Sequence, residues 1–86
     1  MHNSYIDIGE LISQKLKEQN RNVLWLAKQV GCDNSNLGKM LRSERYIYPD
    51  LLFRISIVLN EDFFAYYSKK IEEVKDGQFD QYFWSN

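Results

Sequence analysis

Apolar residues recur at helical spacing in five successive segments of the chain. The first segment, residues 7–20, places Ile8, Leu11, Ile12 and Leu16 three or four residues apart, as on the buried face of an amphipathic helix. No segment shows the strict alternation of a half-buried strand, so the predicted class is all-α. Similar stripes predict four further helices, over residues 22–30, 33–41, 49–59 and 61–75.

Capping and turn residues mark the ends of the predicted helices. Asn22 and Asp33 are placed to accept hydrogen bonds from the backbone amides of the second and third helices. Asn20, Gly31 and Asn60 stand where these helices end, and Asn and Gly are the residues that best adopt the left-handed conformation found there. The boundaries therefore agree with the apolar pattern.

The junction between the second and third helices carries small and apolar residues at the spacing that two closely crossing helices require. Ala27 is small enough for two helices to cross closely, and Gly31 follows four residues later, where a turn requires it. Cys32 is a small apolar plug after that turn, and Leu37 faces back from the third helix. This spacing predicts a helix-turn-helix.

The segment "NVLWLAKQVGCDNSNLGKMLRS", residues 22–43, followed by "DLLFRISIVLN", resembles the XRE or Cro/repressor-type family of helix-turn-helix DNA-binding proteins. The resemblance covers roughly residues 6–60. It implies a five-helix, repressor-like DNA-binding domain with an aromatic C-terminal extension. Residues 61–75 would form the fifth helix, and residues 76–86 would form the aromatic tail. We expect Asp76–Gly77 to stop the fifth helix.

In that family the start of the third helix faces the major groove. The resemblance therefore implies base contacts, and asparagine can pair with adenine while lysine donates to guanine. The implied base-contacting residues are Asn34, Ser35, Asn36 and Lys39. The first three could instead act only as turn and cap residues, and Lys39 could be a solvated lysine.

Phosphate contacts are expected before the second helix and after the third. Many family members carry a glutamine at the start of the second helix, where this chain has Val23. Contacts there would come from backbone amides or from the residues just before it. The implied phosphate-contacting residues are Arg21, Asn22, Arg42, Ser43 and Arg45.

Charge is distributed unevenly along a chain whose net charge is −1. Residues 15–45 hold seven basic and three acidic residues, a local charge of +4, whereas residues 46–86 hold four basic and seven acidic residues, a local charge of −3. This asymmetry favours a nucleic-acid surface in the first half, although solvated helix faces produce similar imbalances.

Aromatic residues are concentrated after residue 60, which holds eight of the thirteen. A chain of 86 residues builds a small core and has little room to bury them all. We expect some to form a dimer or partner surface, where aromatics are enriched. The alternative is that the tail folds back and caps the monomer. The expected surface residues are Phe64, Tyr67, Phe79, Phe83 and Trp84.

These patterns favour sequence-specific binding of double-stranded DNA by a single-domain, homodimeric transcriptional regulator of repressor type. The alternative is a protein-interaction module, or the antitoxin of a toxin–antitoxin pair, that uses the acidic, aromatic C-terminal half. No metal-ligand set, nucleophile–base pair or phosphate loop is evident, so we expect neither an enzyme nor a cofactor. One cysteine, the lack of a long apolar run and the polar N-terminus favour a soluble, cytoplasmic protein.

Overall fold

The computed structural model describes residues 6–78, and in this range the backbone forms five α-helices and no strand. The predicted all-α class is confirmed, and none of the described helices has the length and apolar character needed to cross a membrane. The helices are α1 (Ile8–Glu18), α2 (Val23–Val30), α3 (Asn34–Leu41), α4 (Pro49–Leu59) and α5 (Phe64–Glu73), and a π-helical turn, Val74–Gln78, follows them.

The fifth helix differs from its predicted range of 61–75 at both ends. It begins later because residues 61–63 form a turn in which the Phe63 side chain is fully buried. The Phe63 amide donates to the Ser56 hydroxyl at 3.3 Å, which holds this turn against α4. The α-helix ends at Glu73, and the π-helical turn spans the two residues predicted to stop it, with the side chain of Val74 buried.

A residue with left-handed backbone follows each of the first four helices, one or two positions after the helix ends. The φ angles are 57° at Asn20, 74° at Gly31, 65° at Ser43 and 55° at Asn60. After each one, the next amide donates to the carbonyl five residues earlier, which satisfies a terminal carbonyl of the helix. These bonds are Arg21 to Leu16 (2.8 Å), Cys32 to Ala27 (2.9 Å), Glu44 to Lys39 (2.8 Å) and Glu61 to Ser56 (3.0 Å).

Side-chain caps start the first three helices. Asn22 accepts a hydrogen bond from the Trp25 amide at 2.9 Å and Asp33 accepts one from the Asn36 amide at 3.0 Å, as predicted. Asp7 caps α1 in the same way, through the Glu10 amide at 3.1 Å. The carboxylates of Asp7 and Asp33 also suit the positive ends of their helices.

The core draws side chains from α1 to α4 and from the turn before α5. Ala27 and Leu37 are buried between α2 and α3 as predicted, and Cys32 is half-buried against them. The buried apolar side chains of this cluster are Ile12, Leu16, Leu26, Ala27, Val30, Leu37, Leu41, Leu51, Leu52, Ile55, Leu59 and Phe63.

A close backbone contact joins the start of α1 to the end of α3. A Cβ atom at Gly9 would lie 2.5 Å from the Leu41 carbonyl oxygen and 3.0 Å from the Leu41 Cα. The Ser43 hydroxyl, just beyond α3, donates to the Asp7 carboxylate at 3.3 Å. Both contacts hold the end of α3 on the first turn of α1.

Gly9→Ala should lower the free energy of unfolding by roughly 1–3 kcal/mol, because the added methyl meets backbone that cannot turn aside. Gly38→Ala is the matched control, since a Cβ there meets only the end of the flexible Arg42 side chain, at 3.3 Å. Alanine's better helix propensity should leave that variant unchanged or up to about 1 kcal/mol more stable. Urea titration measures both, and equal effects would contradict the close contact at Gly9.

Candidate nucleic-acid interface

The four expected base-contacting residues all lie on α3. Asn34, Ser35 and Asn36 form its first turn and are exposed, and Lys39 follows half-buried. Lys39 lies three and four residues after Asn36 and Ser35, a spacing that brings side chains to one helix face. The helix therefore presents amide, hydroxyl and ammonium groups close together, and together they can donate and accept hydrogen bonds.

The two residues before α2 already have structural roles. The Arg21 guanidinium lies 4.4 Å from the centre of the Trp25 ring, within the range of a cation–π contact. The Asn22 side-chain oxygen caps α2. Both residues are exposed, so Arg21 keeps its charge at the surface while the half-buried Trp25 ring restricts its position.

The three residues expected to contact phosphate after α3 have different environments. Arg42 donates from Nε to the Glu44 carboxylate at 3.0 Å, and the Ser43 hydroxyl donates to Asp7. Arg45 is exposed. The structure thus brings all three close to the end of α3 and engages two of them within the chain.

The sequence pattern did not identify Glu44, whose carboxylate lies among the basic side chains at the end of α3. The Arg42 guanidinium holds the pKa of the Glu44 carboxyl below its usual range, and the charges of Lys39 and Arg45 act in the same direction. One acidic group therefore lies among three basic side chains that surround the end of α3. The left-handed conformation of Ser43 places it there, and nothing in the serine itself signals that conformation.

Arg54 on α4 is a second residue that the sequence pattern did not identify. Its guanidinium donates to the carbonyl of Val30, the last residue of α2, and to the Tyr48 hydroxyl at 3.3 Å. It also pairs with Asp50 at 3.2 Å. A cation at the end of α2 suits the negative end of the helix. Its being the sole charged residue within 51–59 was a signal that could have identified it.

The expected dimer or partner surface is described only in part. Phe64 and Tyr67 are 36% and 40% exposed on α5, and Ile71 on the same face is 55% exposed. Partial burial raises the pKa of the Tyr67 hydroxyl. Phe79, Phe83 and Trp84 lie outside the described residues.

Arg54→Met should lower the free energy of unfolding by about 1–3 kcal/mol, because hydrogen bonds to a charged group are lost and the Val30 carbonyl loses a partner. Amide hydrogen exchange at Gly31 and Cys32 should accelerate. Lys69→Met, an exposed site on α5, is the control and should change stability by less than about 0.5 kcal/mol. Unchanged exchange at the turn would show that Arg54 does not hold it.

Comparisons with family models, curated proteins and solved structures find no match to this chain. The function proposed next is supported by the side chains around α3 and by their charges, not by any relative.

Proposed function

We propose that this chain is a sequence-specific double-stranded DNA-binding protein, acting as a transcriptional regulator of repressor type. In this proposal α2, the turn at Gly31 and α3 form the helix-turn-helix of an XRE or Cro/repressor-like domain. The chain would act by occupying a site on DNA and would perform no chemical step.

The observation that carries the proposal is the exposed first turn of α3. Asn34, Ser35 and Asn36 are short polar side chains, and packing does not explain their choice because none of them is buried. Capping of this helix is performed by Asp33, so the cap does not require them either. Their chemistry is that of side chains that read base edges in the major groove.

The basic residues at either end of the pair of helices supply the second part of the proposal. Arg21 lies before α2, and Arg42 and Arg45 follow α3, so exposed basic side chains for phosphate contacts stand at both ends of this segment of the chain. Contacts of this kind supply affinity and orientation, whereas the base contacts supply sequence choice.

Asn36→Ala should weaken binding to the preferred duplex by about 1–3 kcal/mol and binding to random duplex very little, because a base contact is lost. Selection from random or genomic fragments identifies the preferred duplex, and fluorescence anisotropy measures both affinities. Gln29→Ala is the control, because Gln29 is an exposed amide side chain on α2 that is not among the proposed DNA contacts. No enriched sequence, together with no salt-dependent binding, would refute the proposal.

We also propose a symmetric dimer through α5 and the aromatic tail. One recognition helix reads few base pairs, and paired helices about 34 Å apart reach successive major grooves. The exposed Phe64, Tyr67 and Ile71 recur on one face of α5, which carries none of the proposed DNA contacts. Tyr67 lines the same cleft as Ser43 and Arg45, so an interface there would border the end of α3 rather than its first turn.

The double variant Phe83→Ser, Trp84→Ser should give folded monomers that bind an inverted-repeat duplex far more weakly than the parent. Leu24→Ser is the control, because Leu24 is a 49% exposed apolar residue on α2 that lies outside both proposed protein-interaction surfaces. Sedimentation at about 100 μM, well above the dissociation constants of ordinary stable dimers, measures the assembly. A monomeric parent at that concentration would instead favour a tail that caps the monomer.

A protein-interaction module, such as an antitoxin, is the second candidate. Phe53 and Ile57, which are 56% and 66% exposed, lie four residues apart on one face of α4. Such a face is suited to a partner protein. A toxin–antitoxin role would combine this surface with the DNA-binding surface, so it predicts DNA binding and a co-purifying partner together.

A further inference from the structure

The Glu44 carboxylate lies among the basic side chains at the end of α3, two of which are proposed to contact DNA phosphate. The left-handed Ser43 reverses the chain so that the Glu44 amide donates to the Lys39 carbonyl at 2.8 Å. Glu44 therefore lies beside the last turn of α3. Its carboxylate accepts the Arg42 Nε–H at 3.0 Å.

Gly38 provides the space for this arrangement. A Cβ atom at that position would lie 3.3 Å from Nη1 of Arg42, so the guanidinium lies close over the outer surface of α3. The pair is exposed, with 61% of the Arg42 side chain and 54% of the Glu44 side chain accessible. An exposed ion pair is weak, so a competing anion can displace it.

A DNA phosphate is such an anion. Carboxylates and phosphates bind guanidinium with the same donor geometry. Among Lys39, Arg42, Arg45 and Glu44 the summed charge is +2, whereas it would be +3 without the carboxylate.

We propose that Glu44 is an internal substitute for a DNA phosphate, which holds Arg42 in the free protein and releases it when DNA binds. This inference rests on the proposed DNA-binding function. It makes Glu44 a residue that lowers affinity for every duplex, so that stable binding depends on the base contacts of α3. The depressed pKa of Glu44 agrees with a carboxylate that stays ionised, and hence competes, at neutral pH.

Glu44→Gln should bind random duplex about twofold to fivefold more tightly than the parent at low salt, because the competing ion pair is gone. The plot of log affinity against log salt should become steeper by up to about 0.9, since the parent's released carboxylate takes up a cation on binding. Glu73→Gln is the matched control. It breaks another 3.0 Å ion pair, to Lys70, with similar exposure of 51%, on a helix without proposed DNA contacts.

A double-mutant cycle tests whether the effect acts through Arg42. In an Arg42→Ala background, Glu44→Gln should give little or no gain, because the group for which the carboxylate competes is absent. A gain of the same size in that background would overturn the proposal in favour of general charge repulsion. Equal affinities of Glu44→Gln and Glu73→Gln would also overturn it, while leaving the DNA-binding function intact.

Failure of the underlying function gives a different result, since neither the parent nor Glu44→Gln would then show salt-dependent binding. Thermal unfolding checks that every variant is folded. The NMR signal of the Glu44 carboxylate carbon in the parent is an independent readout. It should shift in the same direction on Arg42→Ala substitution and on addition of duplex, because the carboxylate loses its partner in both cases, and a signal unmoved by duplex would contradict release.

Discussion

A left-handed residue at the end of each of the first four helices is the constraint on which this fold depends. Helices of eight to eleven residues are marginal in isolation and are stabilised mainly by packing against one another. Packing four of them around one core requires that each end abruptly and that the chain reverse within a few residues. The left-handed conformation meets this need and satisfies a terminal carbonyl at the same time. Three of the four positions carry Asn or Gly, and Ser43 bears the conformational cost.

The two ends of α3 are held by different means. At its start, the Asp33 cap fixes the helix, and Arg54 fixes the end of α2 on the other side of the turn. At its end, the Gly9 backbone lies against Leu41 and Asp7 accepts from Ser43. The exposed polar turn of α3 therefore lies on a helix that is held at both ends, and such rigidity suits a binding surface whose side chains must be precisely positioned.

The apolar pattern and the capping chemistry were sufficient to predict the first four helices. Local rules worked where the cause was local, as for the Asn22 and Asp33 caps and the turn at Gly31. They failed at the start of α5, where burial of Phe63 and its hydrogen bond to Ser56 are tertiary effects, although Asp62 is a local signal because its carboxylate accepts from the Phe64 amide at 3.0 Å. A period of 3.6 residues cannot show that a segment with helical spacing is held as a turn by a neighbouring helix.

The candidate site was predictable in its location but not in its electrostatics. Residue spacing placed Asn34 to Lys39 on α3, and the structure has them there. The involvement of Glu44 depends on the left-handed Ser43, and that of Arg54 on the packing of α2 against α4, which no single segment encodes. The Arg54–Asp50 ion pair lies within one helix turn and is local, whereas the hydrogen bond from Arg54 to the Val30 carbonyl depends on how two helices pack.

Two arginines of the proposed DNA surface, Arg21 and Arg42, have different partners within the chain, and the difference affects the affinity and the selectivity expected of that surface. Stacking on Trp25 restricts the position of Arg21 without cancelling its charge, which lowers the entropy cost of a phosphate contact. Pairing with Glu44 opposes the charge of Arg42. In the proposed DNA-binding role, a carboxylate near the phosphate backbone would weaken all duplexes alike, because that backbone is the same in every sequence. Selectivity would then rest on the first turn of α3, which is free of charged side chains from Asn34 to Leu37.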